Sequence, residues 1–224
     1  MSVTLTTDLR PRVGIPRDQG QRPTCLAFAA SDAHASSRGL NKELSAEHAF
    51  FLAHQRAGSS PNQGARLGEM LQGVHAAGQI SEVDWPYLPA LPANLALWQP
   101  SNLAATRYFQ ANASIYPSWS SSMQQIDKAT PILITMRLSD SFYAPSPDGI
   151  VDQIGSEKGD PVRRHAVVGI GTGVYKGHDV ILVRNSWGTS WGLGGYAWLT
   201  EPFLSPRLDT LTVFIGDPHV SSNP

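Results

Sequence analysis

The chain contains a single cysteine, Cys25, which lies where a loop rich in turn-forming residues meets an alanine-rich run. The run holds no helix breaker before Gly39, so the pattern predicts a helix over residues 25–38 with Thr24 as its N-terminal cap. The unpaired N–H groups and the dipole at a helix N-terminus favour negative charge, which lowers the pKa of a thiol there. A lone cysteine is otherwise most often a small buried hydrophobic residue. Whether Cys25 is reactive therefore depends on what else the chain supplies.

A reactive thiolate needs a base, and the base needs a group that orients it. His165 stands at the start of a β-branched run, and Asn185 follows the apolar run 179–183. We expect the Asn185 carboxamide to hold the imidazole in one orientation and Trp187 to keep water away from that hydrogen bond. The three residue types together predict nucleophilic catalysis by Cys25.

Composition and charge exclude several other classes of function for this chain. The 224 residues are 41% hydrophobic, enough for a substantial core, and the formal charge of −1 gives no reason to expect nucleic acid or a membrane surface as a partner. One cysteine excludes an internal disulfide and suits a reducing compartment. The N-terminus lacks the features of a secretory signal, so we expect the protein to be cytoplasmic at synthesis, with leaderless export as an effector left open. The histidines show no metal-ligand spacing, and we expect no metal or cofactor.

The hydrophobic periodicity changes between the two halves of the chain. Helices are predicted over residues 25–38, 46–57 with Ser45 as cap, 66–77 and 120–129. Strands are predicted over 131–136, 166–170, 180–183, 196–199 and 211–215. Residues 3–15 read as an extended arm, 89–102 as an irregular crossing, and 139–161 as a long loop that overhangs the site. The first half is therefore helical and the second half is a β structure.

Two other motifs have a simpler interpretation. Residues 188–192 fit the nucleophile elbow of serine hydrolases, with Asp209 and His219 following in the right order, but the glycines that come next cannot open a helix. Gly169, Gly171 and Gly173 resemble a phosphate loop, yet the residues that follow them favour a hairpin turn.

Several short runs, in chain order, resemble the papain family of cysteine peptidases. The Asn-Ser-Trp-Gly run with its second Trp-Gly is the most specific of them. The runs are Asp18-Gln19-Gly20 before Cys25, Ala27-Phe28-Ala29, Leu44-Ser45-Ala46-Glu47, Trp85-Pro86-Tyr87, His165-Ala166-Val167, Asn185-Ser186-Trp187-Gly188 and Trp191-Gly192.

The resemblance implies an α+β, papain-like two-lobe fold, with an N-terminal helical lobe, a C-terminal antiparallel β-barrel-like lobe and the active-site cleft between them. The helical lobe is expected over residues 16–105, and the β lobe over 106–216 together with the arm 1–15. The implied catalytic residues are Cys25, His165, Asn185 and Gln19, the last in the oxyanion hole. The implied substrate-binding residues are Gly64, Ala65 and Trp187.

The chain departs from the family at identifiable places. Leu26 replaces the aromatic residue that usually follows the nucleophile, and Arg164 precedes His165 where the family usually has Asp or Asn. Successive strand residues point to opposite faces, so we expect Arg164 to face away from the imidazole. The family's inhibitory prosegment and the disulfides of its secreted members are missing, as in a bacterial-like form, and we expect an enzyme that is made active.

The expected function is that of a thiol protease acting on peptides or proteins through a Cys–His pair and a covalent acyl-enzyme. Two alternatives stay open at this point. One is a thiol-dependent amidase, deamidase or acyltransferase on the same fold, and the other is a catalytically silent binding module. A dedicated inhibitor or immunity protein is a further partner left open.

Overall fold

The computed structural model describes residues 2–100, 104–215 and 220–221, which contain six α-helices, ten strands and two 3-10 turns. The helices are α1 (Cys25–Ser37), α2 (Ala46–Ala57), α3 (Leu67–Ala77), α4 (Trp119–Asp127), α5 (Asp140–Tyr143) and α6 (Glu201–Leu204). The strands are β1 (Thr4–Asp8), β2 (Arg107–Tyr108), β3 (Ala111–Ile115), β4 (Ile132–Arg137), β5 (Ile150–Val151), β6 (Arg164–Tyr175), β7 (His178–Arg184), β8 (Tyr196–Thr200), β9 (Leu208–Ile215) and β10 (Val220–Ser221). The 3-10 turns are Arg10–Arg12 and Leu95–Leu97. His219, Asn102 at the end of the predicted crossing and position 216 at the end of the predicted β lobe lie outside the described residues.

The helices of the first half begin and end where local signals place them. The hydroxyl of Ser45 caps α2 by accepting from the backbone N–H of His48 at 3.0 Å, and Gly58 ends that helix in the left-handed conformation. Helix α1 begins at Cys25, but the prediction that Thr24 caps it is wrong. The Thr24 backbone is not extended, and its hydroxyl instead lies 2.9 Å from that of Tyr87.

Helix α1 is the central element, because it is buried along nearly its whole length and packs against both α2 and β6. Its alanines allow neighbouring backbones to approach closely. At its middle, Asp32 forms ion pairs with Arg17 at 2.6 Å and with Arg184 at 3.2 Å. Arg184 ends β7 and is fully buried, so this pair joins the helical half to the sheet.

The main sheet has the strand order β3-β9-β4-β6-β7-β8-β5, with β1 paired to β6, and β2 and β10 form a separate pair. An α+β fold is therefore confirmed. The sheet is not wholly antiparallel as predicted, because the short β5 runs parallel to β8. The predicted loop 139–161 is also wrong in part, since α5 and β5 form inside it.

The three glycines that resembled a phosphate loop lie inside β6, and two of them let the N-terminal arm pair with the sheet. A Cβ at Gly171 would lie 2.7 Å from the carbonyl oxygen of Thr7, and a Cβ at Gly173 would lie 2.7 Å from that of Thr4. The turn from β6 to β7 follows at Lys176 and Gly177, which both have positive φ, so the hairpin interpretation is confirmed. None of the described helices combines the length and apolarity that crossing a bilayer requires.

Candidate active site

Cys25 and His165 line one cleft of about 530 Å³, together with Gly64 and Ala65. The thiol stands at the first position of α1 and is half-buried. Burial raises the pKa of the Cys25 thiol, and backbone hydrogen bonds, the first of them from Ala166, act in the opposite direction. The sulfur therefore lies against the residue that follows His165, although the thiol and the imidazole form no hydrogen bond with each other.

The orientation of the His165 ring follows from two hydrogen bonds to the same oxygen. Oδ1 of Asn185 lies 2.7 Å from Nε2 of His165 and accepts from the backbone N–H of Ser186 at 2.8 Å. Because a backbone N–H can only donate, that atom of Asn185 must be the carbonyl oxygen, and Nε2 must carry the hydrogen that points to it. The neutral ring then keeps its lone pair on Nδ1, which is the atom available to take a proton.

Aromatic rings enclose this hydrogen bond. The centroid of Trp187 lies 4.7 Å from that of His165, and Phe142 meets the imidazole edge-on at 5.5 Å. His165 is 5% exposed, and its burial lowers its pKa to about 4, against the smaller opposite effect of the Asn185 hydrogen bond. Burial therefore favours the neutral imidazole over the imidazolium in the free protein.

Gln19 does not line the cleft, but its side chain is fixed at both ends. Its Nε2 donates to the carbonyl oxygen of Arg22 at 2.8 Å, and its Oε1 accepts from the hydroxyl of Ser186 at 2.7 Å. The backbone N–H of Gln19 also donates to the carbonyl oxygen of Ser186 at 2.8 Å. One hydrogen of Nε2 is left to donate elsewhere.

The short loop between Gln19 and Cys25 is anchored from inside the helical half. Arg22 is buried and forms two hydrogen bonds with the carboxylate of Glu47, at 2.6 Å and 2.9 Å. Glu47 is completely buried and also accepts from the indole N–H of Trp98 at 2.6 Å. Since Arg22 also supplies the carbonyl that holds Gln19, the anchor fixes the segment that presents the thiol.

Trp187 lies outside the cleft and borders a second depression with Tyr143, whose ring stacks on it at 5.3 Å. Arg164 was expected to face away from the imidazole, but it lines the same cleft as His165. Its guanidinium forms an ion pair with Asp209 at 3.2 Å. The described residues contain no group of three or more His, Cys, Asp or Glu side chains arranged to hold a metal ion.

Two residues of the site were missed by the sequence reasoning. Ser186 links Gln19 to the segment that carries Asn185, and it lies inside the Asn-Ser-Trp-Gly run, so the motif itself contained the signal. Phe142 comes from the predicted loop 139–161, where no pattern distinguished it.

A free thiol, an imidazole with a fixed tautomer and a carboxamide behind that imidazole are the arrangement of the cysteine-dependent hydrolases. Comparison with known sequences narrows this class. Residues 4–202 match the model of the papain family of cysteine proteases, and the chain belongs to that family.

Two curated relatives illustrate the similarity. A cysteine protease of Blomia tropicalis is 29% identical over 195 residues, which cover 82% of this chain and 56% of that protein. Peptidase 1 of Dermatophagoides farinae is 27% identical over 191 residues, which cover 81% of this chain and 56% of that protein. The chain thus spans about half the length of these relatives.

Solved structures share the fold. Xylellain, a cysteine protease from Xylella fastidiosa, matches with a TM-score of 0.76 at 18% identity, over 96% of this chain and 87% of that one. The bromelain protease from Ananas comosus, solved in complex with the E64 inhibitor, matches with a TM-score of 0.71 at 21% identity, over 94% and 98% of the two chains. The papain-like fold predicted from the sequence is therefore confirmed.

Proposed function

We propose that the protein is a cysteine peptidase that hydrolyses peptide bonds with Cys25 as nucleophile and His165 as base. The observation that carries the proposal is the fixed tautomer of His165. Its Nε2–H is held by Asn185 at 2.7 Å, which leaves the Nδ1 lone pair for a proton from the thiol in the same cleft. No other described cysteine competes for this role, since the chain has one.

The reaction proceeds in two stages. The proton of Cys25 moves to Nδ1 of His165, the thiolate sulfur bonds to the substrate carbonyl carbon, and the carbonyl oxygen becomes an oxyanion. The imidazolium then gives its proton to the departing amine as the C–N bond breaks, which leaves a thioester on Cys25. A water molecule loses a proton to His165, attacks the thioester and releases the acid, and the proton returns to the sulfur.

Both burial effects in the free protein favour the neutral thiol and the neutral imidazole. The thiolate–imidazolium pair is formed when the mutual attraction of the two charges offsets both desolvation costs, and that attraction strengthens as water leaves the cleft. The positive end of α1 adds stabilisation to the thiolate at its first residue.

The oxyanion has two donors within this scheme. One is the free N–H of the Gln19 carboxamide, and the other is the backbone N–H of Cys25 at the start of α1. Removing one such donor typically costs roughly 3 kcal/mol of transition-state stabilisation.

The substrates are peptides or proteins, and the single thiol fits work in a reducing compartment, with synthesis in the cytoplasm. Delivery to another cell as an effector and binding by a dedicated inhibitor or immunity protein belong to the same proposal.

The test is a digest of an unbiased peptide library, analysed by mass spectrometry, with wild type and Cys25→Ala side by side. Wild type should yield pairs of fragments that are absent with Cys25→Ala. Intact peptides with shifted mass would instead indicate an amidase, deamidase or acyltransferase. Failure of iodoacetamide to label Cys25 at neutral pH, together with unchanged peptides, would indicate a silent binding module and refute the proposal.

A further inference from the structure

The cleft beside Cys25 carries positive charge without a matching negative charge. Of the described side chains that line it, the ones charged at neutral pH are Arg66 and Arg164. Arg66 stands just before α3, is exposed and forms no ion pair with any described residue. Arg164 begins β6, and its side chain is 62% exposed. A ligand in this cleft therefore meets two guanidinium groups.

The ion pair of Arg164 does not cancel this charge. Asp209 lies 3.2 Å from Arg164, but it also lies 3.3 Å from Arg137. One carboxylate is thus shared by two guanidinium groups, which leaves a net charge of about +1 on the three side chains. Asp209 is also the least exposed of them, at 16% against 44% for Arg137, so the groups that face solvent are the cations.

Two hydroxyl groups add hydrogen-bond donors to the same cleft. Oγ1 of Thr135 lies 2.6 Å from Oγ1 of Thr210, and both residues are half-buried and line the cleft. The pair holds two hydroxyl hydrogens, and one of them is used between the two oxygens. The second hydrogen is left for a ligand that can accept it.

We propose that this cleft selects peptides with an aspartate or glutamate side chain close to the bond that is cleaved, an inference that rests on the proposed peptidase function. A carboxylate accepts from guanidinium and hydroxyl groups together, and such charge-assisted hydrogen bonds are stronger than neutral ones. An apolar side chain would cover the Thr135 and Thr210 hydroxyls without pairing them, and a lysine would be repelled by Arg66 and Arg164.

The experiment begins with a peptide library that varies every position around the cleaved bond, which locates the position that responds to charge. Three peptides are then compared that carry Glu, Gln or Lys at that position and are otherwise identical. The variants are Arg164→Gln, Arg66→Gln and the double variant. Arg56→Gln is the matched control, because Arg56 is an exposed arginine that pairs with Glu69 and does not line the cleft.

For wild type at low salt, kcat/KM should be roughly tenfold higher for the Glu peptide than for the Gln peptide, and lowest for the Lys peptide. The ratio should fall toward one in the double variant, stay at the wild-type value in Arg56→Gln, and shrink in 1 M salt, where screening acts within about 3 Å. An unfolding midpoint in urea equal to that of wild type shows that a variant is folded, and comparing the Glu and Gln peptides within one variant cancels any change in catalysis that both peptides share.

Equal cleavage of the Glu and Gln peptides by wild type would overturn this inference and leave the peptidase function intact. A preference for Glu that survives in the double variant would also overturn it. If wild type cleaves no peptide in a way that depends on Cys25, the proposed function is refuted, and this inference with it.

Discussion

Glu47→Gln tests whether the buried ion pair behind the thiol loop holds the helical half together. In the native structure both Glu47 oxygens are used by Arg22, and the same carboxylate accepts from the indole of Trp98 at 2.6 Å and from the backbone N–H of Leu88 at 3.0 Å. Glutamine keeps the shape but removes the charge. Its NH₂ group then takes the place of one carboxylate oxygen and faces the N–H groups that donated to that oxygen. Arg22 is left as a buried charge without its counter-ion.

Breaking a buried ion pair from one side typically costs about 3–5 kcal/mol, and an unpaired buried donor adds about 1–3 kcal/mol. We therefore expect Glu47→Gln to lower the free energy of unfolding by about 4 kcal/mol or more. Urea denaturation measures this loss, with the slope m compared between the variant and wild type. Replacing both partners should cost much less than the sum of the single changes. The double variant Arg22→Met, Glu47→Gln should thus show a coupling energy of about 2 kcal/mol or more.

Two outcomes would refute this reasoning. One is a loss below about 1 kcal/mol in Glu47→Gln, which is the range of an exposed ion pair. The other is simple additivity in the double variant, which would mean that Arg22 and Glu47 contribute independently.

Three further outcomes follow from the site and the core. Asn185→Ala should lower kcat roughly 10- to 100-fold, because the imidazole loses the hydrogen bond that fixes its tautomer, and steady-state kinetics on a cleaved peptide measure this. Ser186→Ala should lower kcat about fivefold with little change in KM, and should have no further effect in a Gln19→Ala background, since Ser186 acts through Gln19. The free energy of unfolding should fall as the pH drops from 7 to 5, because the buried histidines stay neutral in the folded state while the unfolded chain binds protons below about pH 6.5. Each buried histidine should account for a loss of about 2 kcal/mol over that range. Urea denaturation at the two pH values measures the loss. These histidines are His34 and His165, whose pKa burial lowers to about 4, and His48, whose pKa it lowers to about 3.

The elements that could be predicted from the sequence are those whose ends carry local signals. Helix α2 spans the predicted residues because a serine with the extended backbone of a cap precedes it and a left-handed glycine follows it. Helix α1 begins at Cys25 because the preceding turn-forming residues cannot continue a helix, and this start does not require a capping hydrogen bond from the Thr24 hydroxyl. The sequence predicts the apolar centres of the strands but only some of their ends. Strand β8 begins at Tyr196 and β9 ends at Ile215 as predicted, whereas β6 extends beyond its predicted end through glycines that pair with β1 on one side and with β7 on the other.

The features that escaped prediction are set by distant partners. Helix α5 has four residues, too few to show a period, and it is held by the packing of Phe142 on the rings of the site. The hydroxyl of Thr24 forms a hydrogen bond with that of Tyr87, which lies 63 residues away along the chain. Strand alternation predicts that Arg164 faces away from the imidazole, but not that Arg164 lines the same cleft as His165 and pairs there with Asp209.

The relative position of thiol and imidazole is held by the backbone as much as by side chains. The two residues belong to different halves of the fold, and misplacing reacting groups by about 1 Å can cost roughly 100-fold in rate. The loop before Cys25 is attached to the segment after β7 by two backbone hydrogen bonds, from Gln19 to Ser186 at 2.8 Å and from Gly188 to Arg17 at 3.0 Å. Such bonds survive most side-chain changes. Substitutions at the cleft surface should therefore alter which peptide is bound more readily than they alter the geometry of the reaction.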